Sequence, residues 1–127
     1  MADKPEVGSL CWTDLSVPDA DRVRDFYVDV VGWKPEDCDM GGYSDYTMNT
    51  PGGGKATVGV CHARGTNADL PAQWLIYIAV ANLDRSMAAC EARGGRVVVA
   101  AKNFGGQGRY CVIQDPAGAV AALFEPA

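Results

Sequence analysis

The 127-residue chain has one histidine, no CxxC pair, no concentrated basic cluster and no apolar run near the ~20 residues of a membrane span. Each absence excludes something. With His62 the only imidazole and the cysteines widely spread, a zinc knuckle has no spacing to support it. Lys and Arg number 11 against 16 Asp and Glu, a net charge of -5, so nucleic acid is not an expected partner, and neither is a membrane. The opening MADKPEVGSL has no secretory apolar region, which places the expected location in the cytoplasm. The five cysteines (Cys11, Cys38, Cys61, Cys90 and Cys111) are an odd, evenly spread set, unlike a disulfide framework. Cys11, Cys61 and Cys111 stand in strand-like apolar contexts, where the thiol serves as a small buried hydrophobe.

What is present is repetition. Leu15-Ser16-Val17 lies over Ile78-Ala79-Val80 at a shift of 63, and the register carries Asp19 onto Asn82, Asp21-Arg22 onto Asp84-Arg85, and Gly32 onto Gly95. Two copies at so long a period indicate a duplicated module rather than a solenoid. In the first copy Val23, Phe26, Tyr27, Val30 and Val31 form one apolar helical stripe, with Asp19 as its N-cap and Gly32 as its left-handed stop. In the second, Asn82 caps a thinner stripe of Leu83, Met87 and Cys90 that ends at Gly94-Gly95. Strands are expected at roughly 33–37, 43–49 and 55–62, and again at 96–101, 109–114 and 119–125, between Gly-rich turns. Thr50-Pro51-Gly52-Gly53 recurs as Asp115-Pro116-Ala117-Gly118.

Each copy therefore reads β-α-β-β-β. The expected class is α+β: two tandem βαβββ modules, about 9–62 and 73–125, joined by a linker at 63–72, in one domain. Helices would lie outside a cup-shaped curved sheet whose concave side is the default place for a small ligand.

Two such modules, an L-x-V-x-D pattern before a helix ending FYVDVVGW, and a late DPAG turn before the last strand resemble the vicinal oxygen chelate superfamily. CWTDLSVPD, QWLIYIAV and DPAGAVAALFEP are most similar to its glyoxalase-like branch, within the wider glyoxalase, bleomycin-resistance and dioxygenase group. The resemblance implies metal-ligand positions at Trp12, Leu75 and Ala122, and at Thr57 or Val58 depending on how the PGGG turn is gapped. None of these side chains chelates a divalent ion, so no metal or other cofactor is expected. The resemblance also implies a homodimer.

Strand parity sends Leu15 and Val17 to the helix, and Trp12, Asp14 and Ser16 to the cup. In the second copy it sends Ile76, Ile78 and Val80 to the helix, and Leu75 and Tyr77 to the cup. Trp12 then either lines a ligand site or fills the space of a metal. Tyr43, Tyr46, Met48, Trp74, Arg109 and Tyr110 are further cup or rim candidates, with their directions left open. TPGGGKA lacks the Ser or Thr of a phosphate loop, and NFGGQGRY leads into a strand rather than a helix, so both are turns and the second a candidate lip over the cleft. The expected function is binding of a small, partly aromatic molecule by Trp12, Asp14, Leu75, Tyr77, Tyr46, Met48 and Arg109. The alternative is a metal-dependent lyase, isomerase or dioxygenase whose displaced site uses His62 with Asp14 or Glu125. A third reading is a structural module with a filled cup.

Overall fold

The computed structural model describes residues 4–127, which fold as two compact units: residues 13–74, and residues up to Trp12 together with Leu75–Ala127. The elements are β1 (Leu10–Val17), α1 (Ala20–Val31), β2 (Lys34–Asp39), β3 (Ser44–Asn49), β4 (Ala56–His62), β5 (Trp74–Ala79), α2 (Leu83–Ala92), β6 (Arg96–Asn103), β7 (Gly108–Gln114) and β8 (Val120–Pro126). The βαβββ order occurs twice, as the repeat requires. A single 3-10 turn, Gly65–Asn67, interrupts the stretch between β4 and β5. Among the described residues no helix is long and apolar enough to cross a membrane.

In the unit of residues 13–74 the strand order is β2-β3-β4-β1. β1 runs parallel to β4, because the chain crosses over through α1 and the intervening hairpins before returning. Asp19 caps α1 by accepting the Arg22 backbone N–H at 3.3 Å, and Gly32 ends it at φ 86°. Leu15, Val17, Met48, Val58 and Val60 pack under the helix against Ala20, Val23, Tyr27 and Val28. Met48 and Val60 are fully buried, each worth roughly 1.5–3 kcal/mol of transfer free energy. Trp74 closes this core, donating its indole N–H to the Tyr27 hydroxyl at 3.3 Å.

The other unit has the order β5-β8-β7-β6, with β5 parallel to β8 and the rest antiparallel. Residues before β1 also bind β5: Ala79 donates to the Ser9 carbonyl at 2.9 Å, and Gly8 to the Ala79 carbonyl at 2.8 Å. Asn82 caps α2 through the Arg85 N–H at 3.0 Å. Leu83, Cys111 and Leu123 form the core beneath α2, joined by Ile78, Val80 and Met87.

The duplication survives in detail, with one correction. The left-handed glycine after α2 is Gly94 (φ 92°), so Gly32 matches Gly94 rather than Gly95. A Cβ built on Gly32 would lie 3.9 Å from Pro51, and one on Gly94 would lie 3.9 Å from Pro116, the proline of the recurring turn. Helix end and turn therefore meet in the same way in both modules.

Candidate functional site

Register determines which side chains share a face. In the second unit, Ala79 pairs with Phe124, Phe124 with Tyr110, and Tyr110 with Lys102; one residue pair along, Tyr77 pairs with Ala122 and Ala122 with Val112. Ile78, Leu123 and Cys111 lie between these rows and turn towards α2. The rows therefore occupy the sheet face away from the helix.

That face is aromatic. Ring centroids are 6.0 Å apart for Tyr77 and Tyr110, 5.5 Å for Tyr110 and Phe104, and 6.0 Å for Phe104 and Phe124. The last two contacts are edge-to-face, the geometry favoured by ring quadrupoles. Lys102 sets its ammonium 5.9 Å from the Tyr110 ring centre. Tyr77 and Tyr110 are buried, whereas Phe104 is 36 % exposed. Phe104 starts the Gly-rich turn between β6 and β7, which is closed by its own N–H to the Gly108 carbonyl at 2.8 Å.

Leu75, Tyr77 and Ala122 belong to this face, and all three are buried. Trp12 is half-buried on β1. Of the two candidates for the fourth chelating position, Val58 is packed in the core under α1. Thr57, one residue earlier, takes the opposite face, and its hydroxyl donates to the Lys55 carbonyl at 3.1 Å. Leu75 and Ala122 carry no donor atom. Among the described residues no group of three His, Cys, Asp or Glu could hold a metal ion. The residues present do not fit the divalent ion that the resemblance implies.

The face away from α1 in residues 13–74 has a different chemistry. Asp14 pairs with Gly59 and Ser16 with Cys61, while Gly59 pairs with Thr47. Asp14 and Ser16 are buried. Burial, reinforced by Asp14 and Asp45, pushes the Cys61 thiol well above its ordinary range, so it is a poor nucleophile at neutral pH.

Tyr46 and Met48 do not join that face. They lie in the core under α1, because Tyr46 pairs with Val60 and so takes the parity of Leu15 and Val17. The Tyr46 hydroxyl donates to Asp21 in the first turn of α1, and this bond, with burial, raises the phenol above its usual range. The Arg24 guanidinium stacks 4.6 Å from the same ring. Arg109 likewise turns to the helix side: Nε donates to Glu125 at 3.2 Å, and its other nitrogens reach Asp84 at 3.4 and 3.5 Å.

The His62 ring is engaged by two carboxylates of residues 13–74, Asp45 and Asp21. Its Nδ1 lies 3.2 Å from Asp45, which also accepts the His62 backbone N–H at 2.8 Å, and its Nε2 lies 3.5 Å from Asp21. Each ring nitrogen therefore faces a different carboxylate. Glu125 is engaged by the Leu83 backbone N–H and by Arg109. Tyr43 packs edge-on against His62 at 5.5 Å, with Arg64 stacked 3.8 Å over its outer face.

Sequence reasoning missed Phe104, Phe124 and Lys102. Phe124 was readable by parity from Ala122, two residues earlier on the same strand. Phe104 was hidden because it sits in a turn, where strand parity says nothing.

The family model described as Glyoxalase/Bleomycin resistance protein/Dioxygenase superfamily matches residues 9–123. CFP32 of Mycobacterium bovis, named as an inferred glyoxylase, is 30% identical over 122 residues, covering 96% of this chain and 46% of its own. The anthracycline biosynthesis protein DnrV of Streptomyces peucetius is 30% identical over 132 residues, covering 92% and 46%. The chain thus spans about half the length of these curated relatives. Among solved structures, methylmalonyl-CoA epimerase from Mycobacterium tuberculosis is 21% identical, covers 100% of this chain and 93% of its own, and superposes with a TM-score of 0.57. The Mn(II)-bound glyoxalase from Novosphingobium aromaticivorans is also 21% identical, covering 94% and 39% with a TM-score of 0.58. At such identities the structural likeness establishes the fold alone.

Proposed function

The chain belongs to the glyoxalase, bleomycin-resistance and dioxygenase superfamily, and within it we propose a metal-independent binder of a small, flat, partly aromatic molecule. The ligand lies on the face away from α2, its ring against the exposed edge of Phe104, next to Tyr110 and Phe124. The observation that carries this reading is the aromatic run from Tyr77 to Phe124, on the same face as Leu75 and Ala122. An apolar floor with ring edges at its rim holds a planar ligand by dispersion and quadrupole contacts and needs no chelation. The aromatic chemistry of an anthracycline, the product class in the name of the relative DnrV, supports a ligand of this kind. Tyr46, Met48 and Arg109 have no part in the reading, since their contacts lie on the helix sides of the two units.

The test is titration with anthraquinone-2-sulfonate, a soluble planar probe, followed by intrinsic fluorescence and by ligand-observed NMR. Saturable binding is expected, unchanged by EDTA. Phe104→Ala and Tyr110→Ala should each weaken it about 2- to 10-fold, the value of one aromatic pair. Absence of saturation, or wild-type affinity in both variants, refutes the site. Elemental analysis of untagged protein purified without chelator checks the metal-free claim: near-stoichiometric metal that is lost in His62→Ala would replace this reading with a metal-dependent one.

A further inference from the structure

We propose that the ligand of this site is an aromatic anion, and that Lys102 selects it by pairing with a carboxylate or sulfonate on the ring. This rests on the reading that the ligand lies against Phe104, and adds to it the ligand's charge and the residue that recognises it. The Tyr110 ring centre has the Phe104 ring 5.5 Å away and the Lys102 ammonium 5.9 Å away. A planar molecule against the exposed edge of Phe104 therefore has a cation beside it. Lys102 is itself exposed, so its head can turn to a substituent at the rim without leaving a buried position.

A β-bulge sets this placement. Between the pairs Val99–Val112 and Lys102–Tyr110, β7 advances two residues while β6 advances three. Uninterrupted alternation would send Val99 and Lys102 to opposite sides of the sheet; the extra residue keeps both on the face away from α2. Ala101, next to Lys102, packs against the core under α2. The matching strand of the first module, β2, pairs with β3 without interruption from Lys34 to Asp39.

The surrounding charges favour an anion. Among the described residues, no paired position on this face of β5, β8, β7 and β6 carries a carboxylate. Glu125 and Asp84 lie on the helix side, bound to Arg109. The other charged side chain in these rows, Arg96, is also a cation and donates to Gln114 at the far end. The chain as a whole carries a net charge of -5, which repels anions, so recognition must come from this local arrangement. An ion pair against an apolar floor is strengthened by the loss of water on one side. Lys102 also stands on the last strand of the order, where a lysine discourages edge pairing. A gatekeeper of that kind would have no effect on ligand choice.

The test compares anthraquinone-2-sulfonate with 2-(hydroxymethyl)anthraquinone, a neutral molecule on the same ring system, by ligand-observed NMR in one buffer. Wild type should prefer the sulfonate by about 3- to 10-fold, less at higher ionic strength. Lys102→Gln should lose the preference while binding the neutral probe as wild type does, and Lys102→Arg should keep it. Phe104→Ala should weaken both probes alike. Equal affinity of wild type for the two probes, or a preference that persists in Lys102→Gln, would overturn the role of Lys102 while leaving the aromatic site standing. Failure of both probes to saturate would remove the site, and the charge selection with it.

Discussion

The Glu125 carboxylate accepts the backbone N–H of Leu83 at 2.8 Å, so a side chain from β8 caps the start of α2. Leu83 is fully buried, and this bond fixes the helix end that carries it into the core. The Leu83 N–H, together with Arg109, holds the Glu125 carboxyl below its usual range.

A carboxylate depressed in the folded state contributes stability above its unfolded pKa, about 4.3, and loses it as pH falls through the lower folded value. Glu125→Gln should therefore lower the melting temperature at neutral pH. The gap to wild type should narrow as pH falls below ~4 and close once the Glu125 carboxyl is protonated in the folded state as well. Thermal melts across pH measure it; a gap that widens in acid would contradict the cap.

Met48 separates packing from binding. It is fully buried under α1, so Met48→Ala should cost about 2–5 kcal/mol in urea unfolding. Affinity for the anthraquinone probe, measured where the variant is still folded, should not change. A selective loss of affinity would return Met48 to the binding surface.

Gly95 is held by close packing. A Cβ there would meet the Gln114 carbonyl oxygen at 2.7 Å and the Cys90 sulfur at 2.8 Å. Backbone cannot yield as a flexible side chain does, so Gly95→Ala should destabilise by about 1–3 kcal/mol. Equilibrium unfolding reads this directly, and a neutral result would mean that α2 and β7 separate more easily than their packing implies.

The thiols should divide by burial. Burial pushes Cys111 up to about 11 and raises Cys11 and Cys61 too. In the native state at pH 7.5–8, roughly one unit below an ordinary thiol, a disulfide reagent should label these three slowly. All five free cysteines should react at once in denaturant. Rapid native labelling of Cys111 would show that the core under α2 opens readily.

Much of this was readable in the chain itself. The 63-residue repeat, the caps Asp19 and Asn82, and the alternation of Leu15 and Val17 against Asp14 and Ser16 produced two βαβββ units, their order and most strand limits, because caps and periodicities are local properties. Leu75 and Tyr77 could be sent away from the helix for the same reason. Tyr46, Met48 and Arg109 could not be oriented. Parity states which neighbours share a side, but pairing with Val60, in one case, and with Glu125, in the other, decides which side that is.

The sequence by itself determined the duplicated architecture and the lack of chelating side chains at Trp12, Leu75 and Ala122, since both follow from residue identity and spacing. Only the tertiary structure decided that Thr57 rather than Val58 faces away from the core, that His62 stands between Asp21 and Asp45, and that Phe104 joins Tyr110 and Phe124. Apart from the Phe104–Tyr110 pair, which spans one hairpin turn, these depend on strands and helices brought together from separate parts of the chain. Strand register and the packing of each helix on its sheet set them, and no local pattern encodes either.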